Sequence, residues 1–270
     1  MIDPAVLNPA TPDERISGGF AWYCRRLFRK RFHAILTERG GVEQLQALDA
    51  FDGPSIVVLN HAAWWDPLIG YMLDRDRLPE RTSRAPIEME QLQQFKIFKK
   101  LGLFGIEPDH PDALGAMTEY IAGLFAKTKG TLILTPQGQF TDPRERIRLR
   151  PGAAALLAAF PTARLVSVAI EYIFWLDQKP ELLTRVATLD VPAVELDGRT
   201  TACHRAITRL MQDNQNALAT LSKARDEAPF EPLFDWSGAG AAKINPFYDL
   251  VLRLRGKSGK VTQAERAGTA

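Results

Sequence analysis

The sequence predicts an α/β fold: a mixed central sheet flanked by helices, with an amphipathic helix near its N-terminal end. Three observations carry that prediction. Short apolar runs suited to buried strands recur at 55–59, 131–135 and 164–173. Stretches of helical length separate them, and such alternation places helices on the faces of a sheet. Finally, 270 residues with 46% hydrophobic content suffice for one domain with a substantial core.

Taken in order, Phe20, Trp22, Tyr23, Leu27, Phe28, Phe32, Ile35 and Leu36 are interleaved with Arg25, Arg26, Arg29, Lys30 and Arg31. That pattern predicts a helix over about 17–39, suited either to a lipid boundary with anionic headgroups or to docking on the protein's own core. Ile56, Val57 and Val58 favour a strand at 55–59, and Pro67 suits the first turn of the helix after it. Further expected elements are helices at 88–101 and 112–127, a short strand near 104, and strands at 131–135, 164–173 and 182–189. An alanine-rich helix runs through Ala159, and a long helix covers 201–224. Pro229, Pro232, Gly238 and Gly240 mark a loop leading to a last helix around Phe247, Tyr248, Leu250, Val251 and Leu252, followed by a tail of frayed-end composition. The expected segments are 1–50, an N-terminal amphipathic helical segment; 51–227, an α/β domain; and 228–270, a C-terminal loop, short helix and tail.

Composition narrows the function. A net charge of +2 leaves any electrostatic attraction to local patches and makes nucleic acid a poor partner. Cys24 and Cys203 lie far apart and match no metal spacing, which fits a reducing compartment with no disulfide scaffold and no metal. The start, Met1-Ile2-Asp3-Pro4, lacks the basic-then-apolar order of a secretion signal. No apolar stretch approaches the roughly 18 residues of a spanning helix, so membrane contact is expected from one side.

The chemistry concentrates in Asn60-His61-Ala62-Ala63-Trp64-Trp65-Asp66, where an imidazole and a carboxylate stand five residues apart just after an apolar strand. Positions five apart do not share a helix face, but a strand end, a loop and a new helix can bring them together. His61 is then the candidate general base, with Asp66 fixing its tautomer and stabilising the imidazolium. The competing readings are a helix N-cap for Asp66 and a hydrogen-bonded core histidine for His61.

The same string resembles the first motif of the glycerolipid acyltransferase superfamily, Asn-His-x-Ser-x-x-Asp, with Ala63 in place of the serine. Three further motifs have counterparts in family order over residues 55–170. Phe104-Gly105-Ile106-Glu107-Pro108 is similar to the second, with Pro108 where the family has a phosphate-binding arginine. Pro136-Gln137-Gly138-Gln139-Phe140 is similar to Pro-Glu-Gly-Thr-Arg, keeping the proline and glycine but losing the acid and the arginine. Val166-Ser167-Val168-Ala169-Ile170 matches the fourth, and Arg150-Pro151-Gly152-Ala153 the basic step after the third.

The resemblance implies an acyltransferase-like fold, an acyl-CoA or acyl-carrier-protein donor with no cofactor, and attachment to the inner, cytoplasmic face of a membrane. It also implies direct attack of a hydroxyl or amine acceptor on the thioester, without a serine or cysteine nucleophile. No Gly-x-Ser-x-Gly elbow, the mark of a serine hydrolase, occurs in the chain. Expected substrate-binding residues are Asn60, Gln137, Gly138, Gln139, Arg144 and Arg146, with donors near Gly138 or Gln137 itself stabilising the oxyanion. Loss of two arginines points to a lipid-like acceptor without phosphate, since proline offers no donor. The alternatives are a lysophospholipid acyltransferase with a relocated site in 144–150, where four arginines alternate, and a non-catalytic lipid-binding relative.

Overall fold

The computed structural model describes residues 3–127, 129–175, 177–189 and 198–237. The expected last helix and tail, with Gly238 and Gly240, lie outside the described residues. Among the described residues nine strands form one mixed sheet: β1 (Leu7–Asn8), β2 (Ala34–Glu38), β3 (Ser55–Leu59), β4 (Thr82–Glu88), β5 (Leu103–Ile106), β6 (Gly130–Leu134), β7 (Arg164–Ile173), β8 (Glu181–Thr188) and β9 (Phe230–Pro232). Their order across the sheet is β1-β5-β4-β6-β3-β7-β8-β2-β9. From β5 to β7 the neighbours run parallel, while β1, β8 and β9 join antiparallel to β5, β7 and β2.

Period-two alternation along β3 shows why its sequence is apolar throughout. Val57 and Leu59 enter one core with Phe28, Leu45, Ile69 and Met72, whereas Ile56 and Val58 enter the other with Ile121, Leu157, Ile207 and Met211. The first face is covered by α1 (Glu14–Arg31), α2 (Gly41–Asp49) and α3 (Asp66–Arg77); the second by α6 (Ala113–Phe125), α7 (Gly152–Ala159) and α8 (Thr200–Ala224). Two short helices, α4 (Met89–Gln94) and α5 (Ile97–Lys100), complete the set.

The helix expected over 17–39 is corrected: α1 starts earlier and stops at Arg31. Asp13 caps it by accepting from the Arg15 and Ile16 amides, and Ser17, Ala21, Cys24 and Phe28 form its buried stripe at helical spacing. Ile35 and Leu36 belong instead to β2, held by β8 and β9 from the far end of the chain. The helix expected at 88–101 is broken at Phe95, where φ −118° and ψ 72° leave the helical region.

Strand β4 divides its pairing between two neighbours. Thr82–Arg84 pair with β6, but Ala85–Glu88 pair with β5. The two sides of the sheet therefore part at Ala85, next to Pro86, which has no amide hydrogen to give a ladder. A cavity of about 310 Å³ lies at that parting, walled by β4, the C-terminal end of β6 and one face of α3.

Candidate active site

His61 follows the C-terminal end of β3, and Asp66 opens α3 five residues later. The intervening loop turns the two side chains toward each other, so His61 Nδ1 lies 3.0 Å from Asp66 Oδ2. Asp66 is fully buried, and each carboxylate oxygen is supported: Oδ2 also accepts the Ala63 amide at 2.7 Å, and Oδ1 accepts the Tyr172 hydroxyl at 2.5 Å. This is not an N-cap, since the one peptide amide it binds precedes the helix. A buried carboxylate facing Nδ1 fixes the tautomer and leaves Nε2 as the ring's proton acceptor. Burial, with the Asp66 charge beside it, pushes Tyr172 well above the ordinary phenol range, so it remains a hydrogen-bond donor.

The backbone of His61 is clamped as firmly as its ring. Its N–H donates to Gln137 Oε1 and its carbonyl accepts from the Thr141 amide, both at 2.8 Å. Gln137 Nε2 in turn donates to the Thr141 hydroxyl. Phe140, 59% exposed, lays its ring 4.4 Å from the imidazole, and Trp64, 64% exposed, stands edge-on to Trp65.

His61, Asp66 and Gly138 line the cavity together. The other expected binding residues are placed differently. Asn60 is buried, donating to the Ile170 carbonyl at 3.0 Å and accepting the Ile170 amide at 2.6 Å, which ties the motif to β7. Gln137 is engaged as just described, and Gln139 is exposed outside the cavity wall. Arg144 pairs with buried Glu171, Nε to Oε1 at 2.9 Å, and Arg146 is exposed outside the wall. Residues 144–150 form no strand, although Arg146, Arg148 and Arg150 are exposed while Ile147 between them is buried. The expected oxyanion donors are likewise engaged, because the Gly138 amide donates to Thr135 at 3.1 Å.

Of the four arginines in 144–150, Arg150 lines the wall. Gly138 has φ +68°, and a side chain there would come within 2.6 Å of Arg150 Nε, so only glycine permits this close approach. Pro108 lines the cavity too, and offers no donor. The periodicity of the chain gave no hint of Tyr172, which sits in an apolar strand, or of Asp74, Ser83 and Arg84, which also line the cavity. Among the described residues no group of three His, Cys, Asp or Glu side chains is arranged to hold a metal ion. Among known proteins, the model of the Acyltransferase family matches residues 37–171 of the chain. No curated protein matches the chain.

Proposed function

The chain belongs to the acyltransferase family, and from that premise we propose that it moves a fatty acyl group from a coenzyme A or acyl-carrier-protein thioester to a hydroxyl or amine of a lipid-like acceptor. The observation that carries this reading is the ring of His61 held by a buried carboxylate in the wall of a largely apolar cavity. As the acceptor atom attacks the thioester carbonyl, His61 Nε2 takes its proton and Asp66 stabilises the resulting imidazolium. The tetrahedral intermediate collapses with loss of the thiolate, which recovers the proton from the imidazolium. Arg150, bordering the cavity beside Gly138, supplies positive charge near the developing oxyanion. Leu59, Gly70, Ile133 and Leu103 give the acyl chain an apolar path away from His61.

Pro108 in the wall supports an acceptor without phosphate, as it cannot grip one. A second reading is favoured by Arg150, whose guanidinium suits an anionic headgroup and would make the protein a lysophospholipid acyltransferase. In both, the protein meets lipid from the inner face of a membrane. Trp22, 65% exposed, with Tyr23, Trp64 and Phe140, supports this docking, as do the basic residues of α1. Among the described residues no helix is long and apolar enough to cross a membrane.

The test is incubation of the protein with isotopically labelled acyl-CoA and vesicles carrying in turn a glycolipid, an aminolipid or a lysophospholipid. Mass spectrometry is expected to show one acylated acceptor per thiol released. Thiol release without acylated lipid would make the protein a hydrolase, and no turnover would leave a binding protein.

A further inference from the structure

The end of the cavity far from His61 is polar. Along α3 the lining residues Asp66, Gly70 and Asp74 recur every four residues on one face, so Asp74 lies about 12 Å along the helix from Asp66 at 1.5 Å per residue. The sheet gives the same distance independently. Ser83 pairs with Thr131, four residues before Thr135, which also lines the cavity, or about 13 Å at 3.3 Å per residue. Between these ends the wall is apolar, with Leu59, Gly70, Ala85, Leu103 and Ile133. At the far end stand the Asp74 carboxyl, the Ser83 hydroxyl facing it and shielded from solvent, and Arg84, which donates to the Ser83 carbonyl at 2.6 Å.

A largely apolar cavity with a carboxyl at its far end is a poor receptacle for a methyl group there. A terminal methyl would displace water from the Asp74 carboxyl and offer it nothing, whereas a terminal hydroxyl can hydrogen-bond to Asp74, whose carboxyl Ser83 holds from behind. Gly70 keeps the path open, since a side chain there would fill space toward Ile133 and Leu59. An extended alkyl chain advances about 1.25 Å per carbon from ordinary bond lengths and angles, so the cavity spans about 10 carbons. We propose that the cavity takes a medium-chain fatty acyl group bearing a hydroxyl at its far end, recognised by Asp74, which Ser83 positions. This rests on the cavity being the acyl site of the transfer reaction.

The test measures equilibrium binding, so that it stands apart from turnover. His61→Ala protein is titrated with decanoyl- and ω-hydroxydecanoyl-coenzyme A, and with the dodecanoyl pair. The hydroxylated member of at least one pair is expected to bind about tenfold tighter, because a site built for a hydroxyl rejects the analogue lacking it. Ser83→Ala and Asp74→Leu, each added to that variant, are expected to shrink the preference several-fold. Equal or weaker binding of both hydroxylated thioesters would overturn the proposal, as would a preference that survives both substitutions in folded protein. If the preference holds while wild-type protein acylates no acceptor, the transfer reading fails and the recognition of the hydroxyl stands. If acceptors are acylated with no preference, only this proposal fails.

Discussion

Asp66 illustrates how much of the site rests on one carboxylate held by three protein donors. Removing the phenol by Tyr172→Phe deletes a charge-assisted hydrogen bond of about 1.5–3 kcal/mol and loosens the group that orients His61. The expected result is a fall in kcat of about tenfold or more with KM little changed, measured by steady-state kinetics on the acylation reaction; a change confined to KM would contradict the positioning role. Arg81 is the structural counterpart. Buried, it donates to the Thr131 hydroxyl and to the carbonyls of Leu48, Phe51, Gly53 and Gly130, joining the N-terminal ends of β3 and β6. Arg81→Ala orphans those carbonyls and is expected to cost about 3–5 kcal/mol in urea unfolding. At this scale the sequence displayed His61 and Asp66 because their partnership is local. Tyr172 and Arg81 were invisible because their partners lie 106 and 50 residues away, and no short pattern records that.

Among the elements, α1 docks on the core with one stripe and leaves aromatic and basic residues outside it. Ser17, Ala21, Cys24 and Phe28 face the core, while Trp22 and Tyr23 remain outside with Arg26 and Lys30. Trp22→Ala with Tyr23→Ala is expected to weaken binding to anionic vesicles several-fold in sedimentation assays while leaving the thermal melt unchanged. Binding of wild-type protein should also fall with added salt, since the cations act within a Debye length; vesicle binding indifferent to both changes would contradict the docking. Strands β3, β6 and β7 were legible because burial on both faces makes them continuous apolar runs. β2 was read as helix because its apolar residues continue the spacing of α1, and only pairing with β8 and β9 decides otherwise. β4 went unread because Arg84 and Pro86 interrupt any strand pattern, and the same proline marks where the sheet parts to make the cavity.

For the molecule as a whole, the cavity carries a cost in stability. Asp74, facing Ser83, Arg75, Arg84 and Glu14, is pushed up by burial to about 6 from 3.8. The folded state therefore holds its proton more tightly than the unfolded state, and stability falls as pH rises between those values. Asp74→Asn is expected to stabilise the protein by up to about 3 kcal/mol at pH 8, a gain that vanishes near pH 4. Urea unfolding of both proteins across that range checks it; a constant difference would show that Asp74 is not the titrating group. Such a cost is understandable where a cavity must bind something polar. The proposed transfer depends above all on His61 acting as the base that activates the acceptor. The direct measurement is acceptor acylation by wild-type and His61→Ala proteins with matched thermal melts. A loss of about a hundredfold or more is predicted, and full turnover by the alanine protein would contradict it.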